Sequence, residues 1–189
     1  MIRIPIEVSA RHVHLMAADW QKLFATPHPT MERSISQRPQ FVAHERIDLS
    51  GPKGEITNVG IVGPLRSYSQ VELSRTDAKR LGIEPPLAES GHLEHAVEVT
   101  LRTKKTELTL SAAIIAARHI HASPADADKH GLRDGDEVTV IVSGPRGGQL
   151  DHVLVRIHPT FTWSLHLDTD EANALGVQAH SEAEVLIHL

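Results

Sequence analysis

Polar and apolar residues alternate in short runs along much of this chain. Arg3–Ser9, Ala96–Leu101, Thr106–Leu110, Glu137–Val142 and His152–Ile157 each step with a period of two. That is the mark of strands with one face buried. Gly51-Pro52-Lys53-Gly54 and Gly144-Pro145-Arg146-Gly147-Gly148 punctuate the pattern as turns. The helical segments are few and short. Ser123–Leu132 carries a serine N-cap, Pro124 at the first helical position and Gly131 as a stop. Ser74–Ile83 and Asp168–Val177 share that layout, and a weaker copy around Asp19 has Met16 and Phe24 where the cap and the glycine stand elsewhere. Frequent short strands with brief helices predict a mostly β chain, a barrel or sandwich rather than a parallel α/β sheet.

The pattern repeats. Ala10-Arg11-His12-Val13-His14 returns as Ala117-Arg118-His119-Ile120-His121, and the turn at Ser50–Gly54 returns at Ser143–Gly147. Counting back five residues from the matching acid of each helix gives His14 before Asp19, Glu72 before Asp77, His121 before Asp126 and His166 before Glu171. Four strand-to-helix corners thus carry a metal-ligating residue type at the same place. This predicts an internal duplication, one half with His12, His14 and Glu72, the other with His119, His121 and His166.

Composition sharpens that reading. The chain has 189 residues with 14 His, 12 Gly and no Cys. Absence of Cys excludes disulfide frameworks, thiolate metal sites and cysteine nucleophiles, and it fits a cytosolic protein. Imidazole with carboxylate is then the natural ligand set for zinc, other divalent first-row metals remaining open. A His-x-His pair on a strand aims both rings to one face. A third ligand from the next corner makes a three-ligand site with open positions, the layout of catalytic rather than closed structural zinc. His28, His44, His92, His95, His130, His152, His158, His180 and His188 lack a partner pattern and read as solvated or structural.

Net charge is −5, which gives no electrostatic footprint for nucleic acid. No run approaches the roughly 18 apolar residues of a membrane span, and the N-terminal stretch lacks the features of a signal peptide. Arg66 follows the Gly63-Pro64 turn and precedes Glu72 closely. A guanidinium near two cations points to an anionic substrate, phosphate or carboxylate. Arg11 and Arg118 flank the histidine pairs and read equally well as structural. The Gly-Pro-Lys-Gly turns lack P-loop context and read as hairpin turns. No Gly-x-Ser-x-Gly elbow is present, against a serine hydrolase.

Four stretches carry a resemblance: Ser-Ala-Arg-His-Val-His at 9–14, Gly-Pro-Leu-Arg-Ser-Tyr-Ser-Gln-Val-Glu-Leu-Ser-Arg-Thr-Asp-Ala at 63–78, Ala-Ala-Arg-His-Ile-His at 116–121 and His-Leu-Asp-Thr-Asp-Glu-Ala-Asn at 166–173. In this order they resemble the propanediol-utilization-type phosphotransacylases, or phosphate propanoyltransferases, from about Pro5 to Val177. Segments 25–48 and 84–110 follow the family loosely, and Leu101–Thr106 stands where members often carry another Gly-Pro-Lys-Gly-like turn. The resemblance implies two similar closed β-barrels with short capping helices and the active site between them. It implies a swapped first strand, so that 1–10 with 118–189 form one barrel and 11–117 the other, with a small inserted lid region at about 25–48. It implies two zinc ions, one on His12, His14 and Glu72 near the coenzyme A sulfur, one on His119, His121 and His166, with Arg66 catalytic. The implied reaction is a short-chain acyl-CoA, propanoyl-CoA or acetyl-CoA, plus phosphate to acyl phosphate plus CoA, reversibly, as in propanediol degradation. The alternatives are a di-metal thioester or ester hydrolase and a non-catalytic metal- or CoA-binding protein. A free cytoplasmic enzyme is expected, since the chain starts near its first core strand without the amphipathic extension of members packaged in microcompartments. Neither nucleic acid nor membrane is an expected partner; a homo-oligomer is left open.

Overall fold

In the computed structural model, which describes residues 2–178 and 180–187, the alternating runs form strands and the capped segments form helices. The order is β1 (Ile2–Ser9), β2 (His12–His14), α1 (Ala17–Leu23), β3 (Met31–Ser34), β4 (Phe41–Ser50), β5 (Glu55–Gly63), β6 (Gln70–Leu73), α2 (Arg75–Leu81), β7 (Leu87–Ala88), β8 (Val97–Arg102) and β9 (Glu107–Ala116). It continues with β10 (His119–Ala122), α3 (Pro124–His130), β11 (Glu137–Val142), β12 (Gly148–Ile157), β13 (Ser164–Asp168), α4 (Thr169–Leu175) and β14 (Glu182–Leu186). No helix among the described residues is long and apolar enough to cross a membrane.

The chain divides into a central unit, Ala10–Ala116, and a terminal unit, Met1–Ser9 with Ala117–Leu189. In the terminal unit, β1, β13, β10, β12, β11 and β14 close into a barrel. In the central unit, β4, β5, β2, β6, β9 and β8 form the corresponding ring, closed by the pairing of β8 with β4, while β3 and β7 add to its strands. Closure gives each of the six ring strands a partner on both sides and so removes edges from the ring itself. The two rings match pair by pair. β2 runs antiparallel to β6 and parallel to β5, as β10 runs antiparallel to β13 and parallel to β12. β9 lies parallel to β6, as β1 lies parallel to β13. Each ring is thus completed by the strand that precedes the histidine pair of the other unit. Of segment 25–48, residues 41–48 belong to the barrel strand β4, and 25–40 carry only β3.

Each barrel has its own apolar core. Val13, Leu49, Ile61, Val71 and Leu101 are among the residues filling the central one; Ile4, Ile120, Val140, Val155 and Leu165 are among those filling the terminal one. Val13 and Ile120 sit between the paired histidines and are fully buried. The flanking imidazoles therefore face the outside of each wall. At the corners, α2, α3 and α4 each start with a capping box: Ser74 with Asp77, Ser123 with Asp126, Asp168 with Glu171. Each stops at a left-handed glycine, Gly82, Gly131 and Gly176. α1 has no side-chain cap. Ser69 relays instead: the Met16 N–H donates to its hydroxyl, which donates to Asp19. Each of the three capped helices is about two turns long, so it serves to seat a corner rather than to form a layer.

Candidate metal and anion site

The antiparallel register of β2 and β6 sets Glu72 opposite His12 and Gln70 opposite His14. His12 Nδ1 lies 2.9 Å from Ala10 O, and His14 Nδ1 lies 3.0 Å from Val62 O. A carbonyl can only accept, so each Nδ1 carries the proton and each Nε2 keeps its lone pair. Those two Nε2 atoms face each other at 3.1 Å. The Glu72 oxygens stand 3.6 Å from His12 Nε2 and 3.9 Å from His14 Nε2. Lone pairs and a carboxylate converging without a shared proton repel unless a cation lies among them. With zinc–nitrogen bonds near 2.0–2.1 Å, two nitrogens on a tetrahedral ion stand roughly 3.4 Å apart, close to the spacing here. The donor set fits a divalent metal.

Burial holds the His14 ring well below the ordinary 6.5, and the neighbouring His12 and Arg66 push the same way. The neutral ring is the metal-binding form. A pH consequence follows for metal-stripped protein. The unfolded chain protonates His14 near 6.5 while the folded chain does not, so its contribution is intact above that value and is lost as pH falls below it. The loss approaches about 1.4 kcal/mol per pH unit. Chelator-treated protein should unfold at progressively lower denaturant concentration from pH 7 to pH 5. A flat profile would contradict the assignment.

Gln70 organises the carboxylate. Its Nε2 donates to Glu72 Oε1 at 2.6 Å and to Ser90 Oγ at 2.8 Å, and its own oxygen accepts from the Gly91 N–H at 2.8 Å. It is fully buried. Nothing in the composition singled out Gln70; the available signal was its place two residues before Glu72, on the same strand face.

The terminal unit repeats the construction. β10 and β13 set His119 opposite His166 and His121 opposite Ser164. His119 Nδ1 lies 2.8 Å from Ala117 O, the same arrangement as His12 with Ala10. The three rings gather with centroids 4.6, 4.4 and 5.0 Å apart. Phe161, to which the sequence assigned no role, stacks on His121 at 3.8 Å. In each triad, His12–His14–Glu72 and His119–His121–His166, one ligand atom per residue lies within 4.8 Å of the others. No other group of three donors gathers in this way among the described residues. His130 stacks on Trp163, and His152 pairs with Glu137 on the surface. His188 lies outside the described residues.

Arg66 is fixed through its backbone, whose N–H donates to Leu15 O at 2.9 Å. Its guanidinium reaches Tyr68 OH at 3.3 Å, Ser90 Oγ at 3.4 Å and Gln40 Oε1 at 3.4 Å. These hydrogen-bond partners are neutral, so its charge is not cancelled by an ion pair among the described residues. Arg11 and Arg118 differ. Arg11 pairs with Asp77 at 2.9 Å and Arg118 with Glu171 at 2.8 Å. Each ties the segment before a histidine pair to the helix that follows the third ligand, a structural clamp. Burial raises the Glu171 carboxyl, and the Arg118 hydrogen bond opposes that shift.

The family model described as phosphate propanoyltransferase matches residues 5–178. A phosphate propanoyltransferase of Citrobacter rodentium is 46% identical over 179 residues, covering 93% of this chain and 85% of the relative. That of Salmonella typhimurium is 46% identical over 176 residues, covering 92% and 83%. That of Levilactobacillus brevis is 40% identical over 185 residues, covering 97% and 89%.

Proposed function

The chain belongs to the phosphate propanoyltransferase family, and from that premise we propose that it interconverts propanoyl-CoA plus phosphate with propanoyl phosphate plus CoA using two bound divalent metal ions. Acetyl-CoA belongs to the same substrate class in this reading. The observation that carries the metal is the pair of equivalent triads with converging ligand atoms. His12, His14 and Glu72 hold one ion and His119, His121 and His166 the other, with zinc the best match to the donor set. Bound metal supplies Lewis acidity, which polarises a carbonyl or phosphoryl oxygen and offsets charge on a leaving thiolate.

The protein's own groups supply binding and orientation. A phosphate oxygen forms a bond to the thioester carbonyl carbon, the carbon–sulfur bond breaks and the electron pair leaves on sulfur. Direct attack requires no protein nucleophile, and the chain has no Cys to serve as one. Arg66 holds the phosphate and offsets negative charge as the tetrahedral centre develops. Tyr68, Ser90 and Gln40 hold the guanidinium without neutralising it. Gln70 keeps the Glu72 carboxylate facing the two imidazoles.

Free thiol released from propanoyl-CoA, followed with and without phosphate, tests the reaction. Release is expected to require phosphate and to yield one acyl phosphate per thiol. Equal release without phosphate would establish a hydrolase instead, and no release by metal-loaded protein in either condition would leave a binding protein.

A further inference from the structure

The duplicated frame carries one position whose chemistry has been exchanged between the two units. In the central unit, β9 runs parallel beside β6 and sets Ile114 opposite Glu72. In the terminal unit, β1 runs parallel beside β13 and sets Glu7 opposite His166. Ile114 and Glu7 also correspond in the sequence, each standing five residues before the first histidine of its pair, His119 and His12. Where the third ligand is a carboxylate, the neighbouring strand presents a fully buried isoleucine. Where the third ligand is an imidazole, the neighbouring strand presents a carboxylate. Each frame thereby holds one carboxylate, shifted by one strand.

The distances agree with this exchange. Glu7 Oε2 lies 3.8 Å from His166 Nε2, between the 3.6 and 3.9 Å that separate Glu72 from its two histidines. The three imidazoles form the tight group, and Glu7 flanks it on the His166 side. The electrostatics supply a reason. Two imidazoles and a carboxylate reduce the charge of a dication by one unit, whereas three neutral imidazoles leave it whole, and a carboxylate beside the cation lowers that cost. Glu7 keeps 35% of its side chain exposed. It therefore carries little of the packing load of β1, which Ile4 and Ile6 bear from the opposite face.

We propose that Glu7 is the anionic group of the second triad and strengthens its hold on a divalent cation; the proposal rests on the reading of His119, His121 and His166 as a metal site. The test uses the full chain and zinc alone, with stoichiometry and affinity measured by competition against a chromophoric chelator and metal counted by elemental analysis. Wild-type protein and Glu7→Gln are compared, with Glu7→Ala as a second variant and His121→Ala as the control for the triad. Expected is an unchanged first equivalent in Glu7→Gln and Glu7→Ala, with the second held about 10–100-fold more weakly. Both variants should keep the wild-type unfolding temperature in chelator. Two equivalents at wild-type affinity in Glu7→Gln, or equal weakening of both, would overturn the role of Glu7. Two tightly held equivalents in His121→Ala would instead overturn the triad itself, whatever Glu7 does.

Discussion

Alanine in place of His121 should remove one equivalent of metal and, with it, turnover. The side chain is buried, packed under the Phe161 ring and gathered with His119 and His166. Its neighbours cannot move in to replace it, because β10 is held on both sides, by β12 and β13. A two-imidazole remnant binds zinc far more weakly than three ligands do. If the metal contributes several kcal/mol of transition-state stabilisation, as Lewis-acid metals do, turnover should fall by roughly a thousandfold or more. Elemental analysis after gel filtration checks the metal, and phosphate-dependent thiol release checks the rate. His119→Ala, at a less buried position, should give the same result with less disturbance to the barrel. Unfolding temperatures in chelator separate ligand loss from misfolding. Full metal content in both variants would sink the ligand assignment.

Much of this site was legible because its signals are local. Period-two alternation marks β1, β8, β11 and parts of β9 and β12, and the cap and stop residues mark α2, α3 and α4. The five-residue step from ligand to helix acid picks out His14, Glu72, His121 and His166, and the repeated His-x-His pairs add His12 and His119; Glu72, His121 and His166 each precede a helix fixed by a capping box. The alternation does not reveal β4 and β5, and the structure gives the cause. Their register shifts between Ile47 and Leu49, and Asn58 takes a left-handed backbone at φ 59° with its N–H donated to Asp48. A bulge of this kind breaks the alternation on which strand recognition depends. His152 does the same in β12, beside the shift between Val138 and Val140.

What stayed hidden was pairing at long range. Arg11 meets Asp77, 66 positions away, and Arg118 meets Glu171, 53 positions away. No local pattern distinguishes such a clamp from a substrate-binding arginine. Gln70 was invisible for a different reason: an uncharged amide two residues from a ligand has many uses, and only the buried contact to Glu72 selects one. Glu7 required the topology itself. It precedes the first histidine pair, yet strand exchange delivers it beside His166, a placement the order of residues does not convey.

Arg66→Ala should leave both metal equivalents in place and lower kcat by roughly a hundredfold or more, about 2.7 kcal/mol of transition-state stabilisation. The asymmetry follows from the contacts. The hydrogen bonds of the guanidinium run to Tyr68, Ser90 and Gln40 and are long, so its removal does not dismantle the donor set. Gln70 holds the Glu72 carboxylate. Truncation also removes a positive charge that acts on His14, which favours metal retention. Arg66→Lys keeps the charge but loses the planar fork that matches phosphate oxygens. It should recover part of the rate, with the KM for phosphate still raised. Rate constants measured across phosphate concentrations separate the two contributions: a deficit confined to KM assigns Arg66 to ground-state binding, and a deficit in kcat assigns it to the charge that develops as the thioester is attacked. Near-normal turnover in Arg66→Ala at all phosphate concentrations would remove it from the mechanism.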